Sequence, residues 1–144
     1  MSDRAGCAVD EQGLLTQSLG SDEDVVRLRK LVRDHLVRMG FSLVEQTKMV
    51  TAASELARNT LRYGGGGEAH VSEMHNGVKR GIRLVFADQG PGIENIELAL
   101  TDGYTTGGGL GLGLSGAKRL ADEFDINTAP GAGTQVTIIK WKMF

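Results

Sequence analysis

Five glycines fall within the seven residues Gly107–Gly113, spaced by leucines and followed by a helical pattern. Glycine loses more backbone freedom on ordering than any other residue, so such a stretch is a poor structural element by itself. It makes physical sense where backbone N–H groups must approach a bulky anion at the start of a helix. The run therefore sets a requirement on the fold: a loop, then a helix whose N-terminus faces a ligand.

The chain has 144 residues, enough for one domain with one core. Residues 1–20 read as an N-terminal arm or edge strand, and 21–144 as the domain. The formal net charge of −2 carries no basic footprint, which turns the reading away from nucleic acid. A single cysteine, Cys7, excludes an internal disulfide framework. There is no basic-then-apolar leader pattern and no apolar run of membrane-spanning length, so the expectation is a cytoplasmic protein without a membrane partner.

Two capping signatures, Ser21-Asp22-Glu23-Asp24 and Ser42-x-x-Glu45, open helices ending near Gly40 and Gly64. Leu14–Leu19 reads as a short strand. Strands are expected at 68–75 and 82–87, joined through the hairpin dipeptide Asn76-Gly77. A short helix at 93–100, a helix at 112–124 and strands at 124–128 and 134–141 complete the pattern. This order predicts an α+β fold, a two-layer α/β sandwich with helices on one face of a mixed, mostly antiparallel sheet.

Three further stretches carry chemistry. Glu55 and Asn59 are four apart on the second helix and share a face beside the stripe Leu56, Ala57 and Leu61. Two readings are open. Glu55 pairs with Arg58 or Arg62 on a solvated face, or Glu55 and Asn59 form a base and a metal ligand. An amide oxygen suits Mg²⁺, and a carboxylate one turn away can take a proton from an attacking hydroxyl. Asp88-x-Gly90-x-Gly92 ends a strand. It reads either as a turn or as a carboxylate that accepts from an exocyclic amine while the glycines admit a flat ring. Gly131-x-Gly133-Thr134 opens the last strand.

Other motifs fail. Gly111–Gly116 spells G-x-G-x-x-G, but a Thr/Gly loop precedes it instead of a buried strand, and no acidic residue stands about 20 positions on. No Gly-Lys-Ser/Thr ends the loop, and the eukaryotic kinase motifs are missing. His35 lies on an apolar helical stripe and reads as a core or interface residue. His70 and His75 show no metal spacing. Trp141 reads as core packing, Tyr104 as a partly exposed loop residue, and Lys118-Arg119 as a solvated pair.

Taken in order, these four stretches resemble the N, G1, G2 and G3 boxes of the GHKL ATPase/kinase superfamily, which includes gyrase, Hsp90, sensor histidine kinases and MutL. The resemblance covers roughly residues 21–142. Within the superfamily, Val50–Asn59 and Gly109–Leu114 through Phe124 look most like the bacterial serine/threonine kinases of sigma-factor partner switching. It implies the Bergerat ATP-binding fold, with ATP and Mg²⁺ as cofactors. By the same resemblance Glu55 is the general base, Asn59 the Mg²⁺ ligand, and Arg58 a contact to phosphate or to Glu55. Asp88 holds the adenine amine, and Gly90 and Gly92 let the ring approach. Gly107, Gly108, Gly109, Leu110, Gly111, Leu112 and Gly113 form the lid hinge and phosphate cradle, and Thr134 supports the Asp88 region. The implied partners are STAS-domain antagonist or scaffold proteins, a PPM-type phosphatase and a sigma factor. A second reading is an anti-sigma factor or nucleotide-gated binding protein. One departure stands out: residues 101–109, in the lid, hold no Lys or Arg. The neutralising charge would then come from Arg58, Arg62, Lys118 or a partner.

Overall fold

Both long helices begin at the serines that mark them. Ser21 accepts from the Asp24 N–H at 3.3 Å and opens α1 (Asp22–Met39), and Ser42 accepts from the Glu45 N–H at 3.2 Å and opens α2 (Leu43–Arg62). Gly40 closes α1 at φ 86°, donating to Leu36 and Val37. This left-handed cap is one that glycine adopts without strain.

The computed structural model describes residues 9–100 and 110–142. Its strands are β1 (Val9–Leu19), β2 (Gly67–Asn76), β3 (Lys79–Asp88), β4 (Glu123–Thr128) and β5 (Thr134–Lys142), in the spatial order β1-β2-β3-β5-β4. Helices α3 (Ile96–Ala99) and α4 (Leu110–Leu120) lie between β3 and β4 in sequence. The expected α+β sandwich is present. All four described pairings are antiparallel, so the sheet is antiparallel where a mixed one was expected.

One sheet face and the helices make the main core. Leu28, Val32 and Leu36 of α1 and Met49 and Leu56 of α2 pack with Val71, Leu84, Phe86 and Ile138. Ala52, Ala53 and Ala57 are fully buried on α2, which packs between α1 and α4. Small side chains there let the helices approach closely, so enlarging one would overpack the core. Helix α2 is thereby fixed as the central helix, and it carries Glu55, Arg58 and Asn59.

Several boundaries differ from the pattern reading. Strand β1 starts at Val9 because backbone pairing to β2 continues through Val9↔Asn76, whatever the side chains are. A register shift between Gln12 and Leu15 interrupts the alternation that marks a strand. Helix α4 stops at Leu120 because Asp122 is captured by β5. Its N–H donates to the Ile139 carbonyl at 2.9 Å, and its carboxylate accepts from the Trp141 N–H at 2.7 Å. Helix α3 is shorter than expected because the Ile93 N–H is held by Thr128.

Trp141 is buried, but on the other sheet face, with Met74 and Ile139. Its indole N–H donates to Glu123 at 2.6 Å, and Lys79 lies 5.4 Å from the ring centroid. His35 is a core residue at 4% exposure. Arg38 lies 3.1 Å from its Nδ1, and the Glu73 carboxylate lies 3.5 Å away. Burial, helped by Arg38 and opposed by Glu73 and Asp34, holds the imidazole below its ordinary pKa.

Candidate nucleotide site

A cleft lies between the end of α2, the ends of β3 and β5, and the start of α4. Its walls are mostly apolar: Leu56 from α2, Phe86 from β3, Ile93 from the following loop, Leu114 from α4 and Val136 from β5. Its polar groups are few: Asn59, Thr60, Tyr63, Asp88 and Thr134. An apolar slot with a handful of placed polar atoms suits a flat heteroaromatic ring.

Asp88 sits at the last position of β3, opposite Thr134 of β5 and Gly67 of β2. Strand alternation puts it on the same face as Phe86, two residues back, and so into the cleft. One carboxylate oxygen accepts from the Gly90 N–H at 2.8 Å, which orients the group. Gly64 gives it room: a methyl group there would collide with the Asp88 carboxyl, and one at Gly90 would run into Gly64. Gly92, at φ 78°, has no room for a side chain because the Ala129 carbonyl fills that space.

Thr128 ties this corner together. Its hydroxyl donates to the Gly133 carbonyl at 2.9 Å. That leaves the oxygen to accept from the Ile93 N–H at 3.0 Å and from the Thr134 hydroxyl at 2.9 Å. The loop after Asp88 is thus fastened to the β4–β5 turn, assisted by a bond from the Gly131 N–H to the Pro91 carbonyl. Thr134 supports the region through Thr128. The sequence reading missed Thr128, Tyr63 and the apolar walls. The alternation Phe86/Asp88 and Thr134/Val136 would have found two of those walls, whereas Thr128 left no local signal.

Asn59 reaches the cleft from the last turns of α2. Its side-chain Nδ2 is buried and has no hydrogen-bond partner among the described residues. An unpaired buried donor costs about 1–3 kcal/mol, so the cleft holds a polar group prepared for a ligand oxygen. A phosphate with its bound cation fits this place, because an Asn amide offers one acceptor oxygen to a hard cation and N–H groups to phosphate.

Glu55 and Arg58 line a different recess. They are ion-paired at 3.2 Å and border a groove between α1 and α2 together with Arg29, Arg33, Thr51 and Ser54. Glu55 is half-exposed and paired with Arg58, as the first of the two sequence readings has it. The expected shared face of Glu55 and Asn59 is divided. Residues four apart differ by about 40° around the axis, and that is enough to place them on either side of the α2 crest.

Leu110, Gly111, Leu112 and Gly113 form the first turn of α4, where a loop cradle was expected, and Leu114 opens into the cleft. The first N–H groups of a helix are free of intrahelical partners and attract anions. Gly107, Gly108, Gly109 and Tyr104 lie outside the described residues. Among the described residues there is no group of three or more His, Cys, Asp or Glu able to hold a metal, and no helix is long and apolar enough to cross a membrane.

The model of the histidine kinase-, DNA gyrase B- and HSP90-like ATPase family matches residues 44–143. The chain is 44% identical over 118 residues to the serine/threonine-protein kinase RsbT of Bacillus subtilis, covering 82% of this chain and 89% of that protein. It is 28% identical over 103 residues to an anti-sigma F factor of Clostridium kluyveri, covering 69% and 72%. Two solved structures share the fold. One holds the RsbU and RsbW domains of a Mycobacterium tuberculosis protein, with TM-score 0.62 and 18% identity over 90% of this chain. The present chain spans 32% of that structure's chain. The other is the SiaB–SiaC complex of Pseudomonas aeruginosa, with TM-score 0.53 and 14% identity over 91% of this chain and 90% of that one.

Proposed function

The chain belongs to the histidine kinase-, DNA gyrase B- and HSP90-like ATPase family, and from that premise we propose that it is an ATP-dependent serine/threonine kinase acting on STAS-domain proteins in a bacterial partner switch. The observation that carries the reading is the Asn59 Nδ2, buried in an apolar cleft and unpartnered among the described residues, one helical turn from a half-exposed carboxylate.

ATP is the phosphoryl donor, and Mg²⁺, when bound at Asn59, would neutralise charge on its phosphates. Asp88 accepts from the adenine amine, and Gly64, Gly90 and Gly92 keep the space beside it clear. Asn59 offers its amide to the metal and the phosphates. The first turn of α4 offers its free N–H groups to the phosphates. Glu55 takes the proton of the substrate serine or threonine hydroxyl. The hydroxyl oxygen bonds to the γ-phosphorus as the bond to the β–γ bridging oxygen breaks, and ADP leaves. Arg58 holds Glu55 in place through their ion pair. Positioning and charge stabilisation carry most of such a transfer.

The kinase works in the cytoplasm, where ATP is supplied. The Clostridium relative is named an anti-sigma factor, which supports a sigma factor as a further partner. A PPM-type phosphatase is the further partner that the partner-switch reading implies.

Transfer of labelled phosphate from γ-labelled ATP to a purified STAS-domain protein tests the proposal. Labelled serine or threonine on that protein is the predicted result. Tight ATP binding without any transfer would contradict it and favour a nucleotide-gated binding protein.

A further inference from the structure

The groove between α1 and α2 holds three arginines, and among the described residues only one of them is ion-paired. Arg58 pairs with Glu55 at 3.2 Å. Arg29 and Arg33 line the same groove, and neither has a carboxylate within ion-pair distance among the described residues. The nearby charges are otherwise self-contained. Arg27 pairs with Asp24 at 2.7 Å, and Lys30 with Asp34 at 3.1 Å. Arg29 and Arg33 are four apart on α1 and so project to one side, toward Thr47 and Thr51 of α2. The result is a basic trough with hydroxyl groups along one wall and the Glu55–Arg58 pair toward the C-terminal end of α2.

A guanidinium pair of this kind suits carboxylates, which it can grip through paired N–H donors. We propose that the α1–α2 groove is the docking subsite for acidic residues flanking the acceptor hydroxyl of the protein substrate, with Arg29 and Arg33 as the specificity-determining contacts. The proposal rests on the kinase reading of Glu55. The acceptor enters along the groove and not through the nucleotide cleft, because Glu55 and Arg58 line the groove and Asn59 lines the cleft. Carboxylates bound to Arg29 and Arg33 anchor the substrate chain, and its hydroxyl then lies beside Glu55 facing the phosphates.

The test compares the wild type with an Arg29→Glu/Arg33→Glu variant. The binding probe is a purified STAS-domain protein with a non-hydrolysable ATP analogue present, measured by surface plasmon resonance. Phosphoryl transfer to the same protein is measured separately. Charge reversal is expected to raise the Kd and KM for the STAS protein about tenfold or more. Neither arginine lines the cleft, so ATP affinity and melting temperature stay unchanged. Reversing the acidic residues around the acceptor to lysine should restore binding to the variant and weaken it to the wild type. Wild-type transfer with an unchanged Kd in the variant would overturn the groove assignment and leave the kinase reading intact. Wild-type binding that the variant loses, without any transfer, would overturn the kinase reading and keep the groove as an acidic-partner site. A wild type that binds no STAS protein would remove both.

Discussion

Glu55 and Asn59 stand one turn apart on α2, yet Asn59 lines the apolar cleft beneath Asp88 while Glu55 lines the basic groove against α1. The α2 crest between them is a wall shared by two recesses, one shaped for a nucleotide and the other open to a protein. A carboxylate at that boundary can serve a hydroxyl arriving from one side and phosphates lying on the other. Such a division separates a transferase from a hydrolase, whose nucleophile is a water needing no groove of its own.

Asn59 is prepared for a ligand at the expense of the empty fold. Asn59→Leu should leave the melting temperature of the ligand-free protein equal or higher, since it removes an unpaired buried donor. The same change should weaken Mg²⁺–ATP binding about ten- to a hundredfold. Thermal-shift titration with and without Mg²⁺–ATP reads both effects. A lower ligand-free melting temperature with a preserved nucleotide shift would count against this account.

Thr128 supports the adenine corner at a distance. Thr128→Val keeps the shape and removes one donor and two acceptor contacts, to Gly133, Ile93 and Thr134. The expected cost is about 1–3 kcal/mol of stability, because the Ile93 N–H loses its partner. Nucleotide affinity should fall with it, since the loop from Asp88 to Ile93 forms one wall of the cleft. Urea denaturation and calorimetric titration provide the two numbers, and an unchanged midpoint would remove Thr128 from this role.

His35 makes stability depend on pH. Its folded pKa lies below the unfolded value of about 6.5. Above that pH both states are neutral at this residue and it contributes no pH dependence. As the pH falls below about 6.5 the unfolded chain takes up the proton first, so stability drops until the folded pKa is passed. Melting temperatures of the wild type and of His35→Gln between pH 8 and 5 should therefore converge as the solution is acidified. Parallel curves would show that His35 does not govern this window.

Much of this arrangement was legible in the residues. Ser21 and Ser42 act through local hydrogen bonds, so the helix starts could be read from four-residue patterns. Asn76-Gly77 marks the β2–β3 hairpin, with Gly77 at φ 64° as the first of the two loop residues. Asp88 was visible through the order of the four stretches, since Asp88-x-Gly90-x-Gly92 by itself reads equally as a turn. What stayed hidden depends on partners distant in sequence. The first residues of β1 are strand only because β2 lies beside them. Asp122 ends its helix by binding β5, and Thr128 matters through Ile93, 35 residues away. Arg29 and Arg33 acquire meaning only when α1 packs on α2 and brings them to Glu55.

The most direct test of the central claim is Glu55→Gln assayed beside the wild type for transfer from γ-labelled ATP to a STAS-domain protein. Loss of a general base predicts a fall in the transfer rate of about 10²–10⁴-fold, with ATP affinity nearly unchanged because Glu55 lines the groove and not the cleft. Transfer by Glu55→Gln at the wild-type rate would contradict the account.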